Sequence, residues 1–151
     1  MKIFFFIFII IFLSQCGYKS VYENIEKRDL KIVSQKIDGD KSIGSLVRTE
    51  LKKNSKEQSK NLYIIDAKTN YSKSVISKDK TGKATDLKLS VKINFTVKFN
   101  DTIKNYIFEE TLNIENSLDT YEQRNYENNL KRNFVSSIVD KLVLKLVNLE
   151  W

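Results

Sequence analysis

Histidine and proline are absent from this 151-residue sequence, and it contains only one cysteine and four glycines. Without histidine there can be no Ser-His-Asp or Cys-His catalytic arrangement and no histidine-ligated metal site. A single cysteine cannot form an internal disulfide or a thiolate zinc site. We therefore predict no catalytic residues and no metal site, and an enzyme is the least favoured class of function.

The remaining composition is typical of one globular domain. Of the residues, 41% are hydrophobic and 30% are charged, and the length fits a single core. The formal net charge of +7 comes from 22 lysines and four arginines against 19 acidic residues. AT-rich coding imposes a similar excess of Lys, Ile, Asn, Phe and Tyr on many proteins. We therefore do not infer a nucleic-acid partner from the charge.

The amino terminus has the pattern of a secretory signal. After Lys2, an uninterrupted apolar run covers residues 3–13. This is the length of a signal-peptide core and is too short for a membrane-spanning helix. We predict a signal peptide over residues 1–15 and a single domain over residues 16–151.

The only cysteine lies directly after this signal. Residues 13–16 (LSQC) resemble the lipobox of bacterial lipoproteins, with Gln15 at a position where Gly, Ala or Ser is usual. The resemblance implies a covalent lipid on Cys16 as the only attached group, and Gly17 in the next position resembles an outer-membrane address. The alternatives are a secreted protein with a free thiol and a protein held by an uncleaved anchor.

Apolar spacing divides the rest of the chain into six elements in the order β-α-β-β-β-α. Period-2 patterns indicate strands, and two patterns of helical period follow cap candidates at Asp40 or Ser42 and at Asp119 or Thr120. The first two strands, joined by a helix, should be parallel. We predict an α+β two-layer sandwich with two helices packed on one face of a mixed four-stranded sheet. The predicted strands lie near 30–37, 62–68 or onward to 76, 87–99 and 106–114, and the predicted helices near 43–51 and 120–149. The apolar stripe of the last helix is Tyr126, Leu130, Phe134, Ile138, Leu142, Leu146 and Leu149, reinforced by Val135, Val139 and Val143.

The third and fourth strands predict a hairpin with one apolar and one polar face. If residues 100–103 form the turn, Phe99 lies opposite Lys104. This register pairs Val97 with Tyr106, Lys88 with Glu115 and Asn94 with Glu109.

One adjacent carboxylate pair lies on the fourth strand. Glu109 and Glu110 should point to opposite faces of the sheet, so they cannot act as a catalytic dyad. Glu110 interrupts the apolar row opposite Ile93. A sheet end or a bulge is favoured there over a partner surface, because a buried unpaired carboxylate is costly.

Lysines form a basic zone around the second turn and along the third strand. The anion-binding candidates are Lys78, Lys80, Lys83, Lys88 and Lys92. They could bind phosphate groups of a lipid, and the alternative is a solvated face that limits aggregation. No aromatic residue alternates with them, which disfavours single-stranded nucleic acid.

Three stretches together resemble the lipopolysaccharide-assembly lipoprotein family (LptE), especially its short alphaproteobacterial members. They are residues 16–22 (CGYKSVY), with Ser20 where the family has proline, residues 81–85 (TGKAT) leading into an alternating strand, and residues 117–121 followed by a long amphipathic helix. The resemblance implies a lipid-anchored outer-membrane protein on the periplasmic side. Such a protein inserts into the β-barrel LptD, assists its assembly and helps deliver lipopolysaccharide to the cell surface.

Two other classes of function stay open from the sequence. One is a periplasmic binding lipoprotein or secretion-system pilot with no role in lipopolysaccharide export. The other is an intracellular nucleic-acid-binding domain, which would require residues 1–15 to be something other than a signal.

Overall fold

The structure is a computed structural model that describes residues 29–116 and 119–148. The described chain confirms the α+β class, the order β-α-β-β-β-α and the mixed four-stranded sheet. The sheet order is β1-β2-β3-β4, with β1 and β2 parallel and the other neighbours antiparallel. The elements are β1 (Lys31–Gly39), α1 (Lys41–Lys53), β2 (Leu62–Lys78), β3 (Ala84–Phe99), β4 (Thr102–Glu115) and α2 (Thr120–Val147).

The connection from β1 to α1 requires glycine at position 39. The φ angle of Gly39 is +98°, and a Cβ there would lie 1.9 Å from the carbonyl oxygen of Thr69. The backbone N–H of Asp40 donates to that carbonyl at 3.2 Å, and the Asp40 carboxylate accepts the backbone N–H of Ile43 at 2.9 Å. Asp40, and not Ser42, is therefore the helix cap.

The predicted faces of the β3–β4 hairpin are correct, but the predicted register is wrong by two residues. Phe99 pairs with Thr102 and not with Lys104, because the turn contains only Asn100 and Asp101. Asn100 has a φ of 49°, a left-handed conformation that asparagine tolerates, and this lets the chain reverse within two residues.

A two-residue shift changes every cross-strand partner and leaves each side chain on its predicted face, because strand side chains alternate. The corrected pairs are Val97 with Lys104, Phe95 with Tyr106, Val91 with Glu110, Lys88 with Asn113 and Asn94 with Ile107. Lys88 therefore lies opposite the neutral Asn113 and not opposite Glu115.

Both helices pack on one face of the sheet and bury one main apolar core and a smaller cluster against it. Burial of each large apolar side chain there contributes about 1.5–3 kcal/mol to the free energy of folding. The largest fully buried side chains are Phe95, Ile43, Leu51, Ile65, Leu89, Ile93, Ile138, Leu142 and Leu146.

Helix α2 extends beyond this core along the hairpin. The Asp119 carboxylate caps it by accepting the backbone N–H groups of Tyr121 at 2.8 Å and Glu122 at 3.0 Å. Further along, Leu130 packs in a second apolar cluster with Leu87, Leu89 and Ile114. Neither helix of the described chain has the combination of length and hydropathy that a membrane crossing needs.

The predicted apolar stripe of α2 is wrong at its first member. Tyr126 is 49% exposed, whereas Leu130 is buried. Around this turn the covered side chains are Gln123, Glu127 and Leu130, so the side of α2 that faces the sheet passes through Glu127 and not through Tyr126. The rest of the prediction is confirmed, with buried side chains at Val135, Ile138, Val139, Leu142, Val143 and Leu146. Leu149 lies outside the described residues.

Candidate functional site: the β2–β3 hairpin tip

Three of the five predicted anion-binding lysines lie together at the tip of the β2–β3 hairpin. Lys78 is the last residue of β2, and Lys80 and Lys83 belong to the loop that joins it to β3. All three side chains are exposed, and none forms an ion pair with an acidic residue of the described chain. We call residues 78–83 the hairpin tip.

The tip loop is organised by Asp79. Its Oδ1 atom accepts hydrogen bonds from the backbone N–H of Thr81 at 2.8 Å, the Thr81 hydroxyl at 2.6 Å and the backbone N–H of Lys83 at 2.9 Å. The Thr81 hydroxyl, followed by the backbone N–H of Lys83, lowers the pKa of the Asp79 carboxyl. Gly82, at φ +83°, completes the turn. The single acid of the tip therefore bonds to the loop backbone, and the three lysines project into solvent.

Two exposed apolar residues stand beside these lysines. Val75 is 48% exposed and Ile76 is 50% exposed. The pairing of β2 with β3 is irregular here, with register shifts between Val75 and Ser77 and between Ser77 and Lys78. The lysine pattern does not predict Val75 and Ile76 as site residues. The signal in the sequence is the adjacent Val-Ile pair, which breaks the strand alternation. Cations next to exposed apolar side chains suit an anionic lipid better than a free phosphate.

A hydroxyl and carboxylate cluster holds the base of the tip. The Ser77 and Thr85 hydroxyls lie 2.7 Å apart, and both donate to the Asp86 carboxylate, the Thr85 bond being 2.9 Å. The Ser77 hydroxyl, followed by that of Thr85, lowers the pKa of Asp86. This cluster links β2 to β3 where the tip begins.

Lys88 and Lys92 lie apart from the tip, on the face of the sheet that carries no helix. Lys92 follows Lys83 by nine residues, which corresponds to roughly 30 Å at about 3.3 Å per strand residue. Lys88 has the neutral neighbours Ser74 and Asn113, so it can extend the positive surface of the tip. Lys92 pairs with Glu109 across the strands, which makes it the weakest of the five candidates.

The structure confirms that Glu109 and Glu110 point to opposite faces. The Glu109 carboxylate accepts the Ser90 hydroxyl at 2.8 Å on the helix-free face. Glu110 lies opposite Val91 on the helix side, where its carboxylate bonds to the Ser137 hydroxyl at 2.9 Å and to the ammonium of Lys141. The interruption of the apolar row is thus explained by an ion pair with α2, and neither a sheet end nor a bulge is involved.

A second polar cluster ties α2 to β2 nearer the tip. The Glu127 carboxylate binds the Lys73 ammonium and accepts the Gln123 side-chain amide at 3.1 Å. Burial alone would raise the pKa of Glu127, but these two donors outweigh it and lower the pKa. The Lys131 ammonium lies 4.1 Å from the ring centre of Tyr71. Within residues 29–116 and 119–148, no group of three acidic, cysteine or histidine residues could hold a metal ion.

Cys16, the predicted lipidation site, lies outside the described residues, as does the predicted signal peptide at residues 1–15. No protein-family model matches the sequence, and no curated protein matches it.

Solved structures match the fold. Rare lipoprotein B from Shewanella oneidensis superposes with a TM-score of 0.59 at 19% identity, over 81% of this chain and 98% of that protein. A minor lipoprotein from Acinetobacter baumannii gives a TM-score of 0.53 at 12% identity, over 76% of this chain and 89% of that protein. The chain has the fold of these two lipoproteins.

Proposed function

We propose that the protein is a non-enzymatic outer-membrane lipoprotein that assists assembly of an LptD-type β-barrel and delivery of lipopolysaccharide to the cell surface. The observation that carries the proposal is the shared fold with rare lipoprotein B, which extends over nearly the whole of that protein. The lipobox-like residues 13–16 supply the second support, because they put the only cysteine directly after an apolar signal.

The start of β1 and the hairpin tip lie at opposite ends of the sheet. Lys31, the first residue of β1, pairs with Leu62, the first residue of β2, while Lys78 is the last residue of β2. Along a strand of 17 residues this separation is about 50 Å. A lipid on Cys16 would attach the chain on the periplasmic side, at a point that precedes β1 in the sequence.

The hairpin tip is the proposed contact for the anionic head of lipopolysaccharide. Its three lysines outnumber the single aspartate, and Lys88 extends the positive surface onto β3. Phosphate groups attract exposed ammonium groups through an interaction that salt screens. Val75 and Ile76 add apolar surface next to that charge. Lys92 is retained as a peripheral candidate only.

Charge reversal of Lys80, Lys83 and Lys88 together, each to Glu, is expected to weaken lipopolysaccharide binding roughly tenfold or more. Each exposed charge contact is worth about 0.2–1 kcal/mol, and reversal turns attraction into repulsion. Binding of the purified protein to immobilised lipopolysaccharide, at two salt concentrations, measures the effect.

The matched control reverses three exposed lysines away from the tip, namely Lys41, Lys52 and Lys60. This control changes the net charge by the same amount as the tip variant. Equal losses of lipopolysaccharide binding in the two variants would mean that only the total charge matters. Unchanged binding in the tip variant would remove the tip from the proposal.

Depletion of the protein in its own cells tests the function separately from the site. Lipopolysaccharide at the cell surface should fall, and the tip variant should restore it less well than the control variant. Normal surface lipopolysaccharide after depletion would instead favour a binding lipoprotein or secretion-system pilot.

A further inference from the structure

A cavity lies on the helix-free face of the sheet, away from the hairpin tip. Its volume is about 470 Å³, which is within the range of sites that bind small molecules. Two rows of polar side chains cross the strands beneath it. One row is Asp38 with Lys68 and Asn94, and the next is Asp66 with Thr96 and Asn105.

The irregular part of β1 forms one wall of this cavity. The pairing of β1 with β2 shifts between Ser34 and Ile37, and the backbone N–H of Lys36 donates to Oδ1 of Asp66 at 3.0 Å. Bulges are common next to functional sites, where they redirect a side chain. The Oδ2 atom of Asp66 lies 3.9 Å from the Lys98 ammonium, which is longer than a hydrogen bond. This oxygen can therefore accept a hydrogen bond from a ligand.

Two asparagines supply donors to the same cavity. The Thr96 hydroxyl donates to Oδ1 of Asn105 at 2.8 Å, which leaves the Nδ2 group of Asn105 to donate to a ligand. Asn94 lies opposite Lys68, and both side chains are exposed. Lys68 can donate, and the Asn94 amide can both donate and accept. The cavity thus offers donors and acceptors side by side.

The charges that line the cavity cancel, because two are lysines and two are aspartates. The Lys36 ammonium lies 2.9 Å from the Asp38 carboxylate. A phosphate would meet both carboxylates, and a cation would meet both ammonium groups. Ile107 borders the cavity and is 64% exposed, which places an apolar surface beside the polar groups. A neutral ligand with several hydroxyls and an apolar face fits this combination best.

We propose that this cavity binds neutral sugar units of an oligosaccharide. The ring hydroxyls donate to Oδ2 of Asp66 and accept from the amides of Asn94 and Asn105, and the C–H face of the ring packs on Ile107. The sugar chain of lipopolysaccharide and the glycan strand of the cell wall both present this chemistry. The proposal does not depend on the hairpin tip or on a barrel partner.

NMR titration of the full-length protein in detergent micelles tests the site. One probe is a neutral, lipid-free oligosaccharide released from the lipopolysaccharide of the same cells, and the other is a trisaccharide of N-acetylglucosamine. At least one of them should shift the signals of residues 66–68, 94–96 and 105–107 and leave those of residues 78–83 unchanged. The probe that binds more tightly identifies the source of the sugar. Binding of neither probe, or shifts confined to other residues, would overturn the proposal.

Paired substitutions test the donors. Asn94→Ala with Asn105→Ala should weaken binding of the sugar roughly tenfold or more, because two hydrogen bonds are lost. The matched control is Asn70→Ala with Asn113→Ala, since both asparagines lie on the same face of the sheet and outside the cavity. The control and the charge-reversed tip variant should bind the sugar as the parent protein does. An equal loss in the control, or undiminished binding by the cavity variant, would contradict the assignment.

Discussion

Substitution of Gly39 by alanine is expected to destabilise the protein by more than about 2 kcal/mol. A Cβ at this position would lie 1.9 Å from the Thr69 carbonyl oxygen, and φ is +98°. Chemical denaturation of the purified protein measures the change. Gly82→Ala is the control, because its φ is also positive but nothing lies within 4 Å of its Cβ, so only about 1 kcal/mol is expected. Equal losses of stability in the two variants would show that the close approach of the Thr69 carbonyl oxygen does not matter.

Glu110 should contribute stability that depends on pH. The Lys141 ammonium, followed by the Ser137 hydroxyl, lowers the pKa of Glu110 in the folded state below its ordinary value of 4.5. A folded pKa below the unfolded value gives stability that is present above pH 4.5 and is lost as the pH falls through the folded pKa.

Glu110→Gln should therefore cost about 1–2 kcal/mol at neutral pH and less in acid. Denaturation of both proteins between pH 7 and pH 3 tests this. The stability difference between them should narrow below pH 4.5, while the acid sensitivity that Glu127 contributes should persist in the variant. A difference that stays constant with pH would contradict the ion-pair account.

At the scale of residues, the sequence predicts whether a side chain is polar or apolar better than it predicts which residue that side chain contacts. The polarity of Glu110 was evident from the broken apolar row, but Lys141 is 31 positions away and no local pattern connects the two. The caps at Asp40 and Asp119 were predictable because each bonds to its own helix within three residues.

At the scale of elements, the first half of α2 depends on the second apolar cluster. Leu130→Ala should destabilise the protein by about 2–3 kcal/mol, because Leu130 is only 9% exposed among Leu87, Leu89 and Ile114. Hydrogen exchange should increase more between residues 120 and 134 than between 138 and 146.

Val147→Ala, at a side chain that is 39% exposed, is the comparison and should change stability by less than about 0.5 kcal/mol. Uniform acceleration of exchange along α2 in the Leu130 variant would indicate that the helix unfolds as one unit.

Element type and order were predictable because period-2 and period-3.6 patterns are local. The β3–β4 register was not, because it depends on whether the turn takes two residues or four. The left-handed conformation of Asn100 lets the chain turn within two residues. The apolar and polar faces stay as predicted, because a register shift of two residues keeps each side chain on its own side of the sheet. The exposure of Tyr126 likewise depends on tertiary packing, because the sheet covers the side of α2 that carries Glu127.

At the scale of the whole molecule, the sequence predicted the two-layer architecture and the accumulation of lysines at one turn. It did not predict that Lys92 would lie roughly 30 Å from that turn, because the distance depends on strand length and direction. It also did not predict that one edge of the sheet would be bulged and the other regular. The resemblance to LptE and the fold of rare lipoprotein B lead to one hypothesis, that of an outer-membrane lipoprotein with a barrel partner.

The most direct test of that hypothesis is to purify the carboxy-tagged protein from its native outer membrane in mild detergent and identify what is recovered with it. We expect to recover a near-stoichiometric large β-barrel whose own sequence identifies it as LptD. An unrelated tagged lipoprotein from the same membrane should not recover that barrel. Recovery of the protein without the barrel, from membranes shown to contain it, would contradict the account.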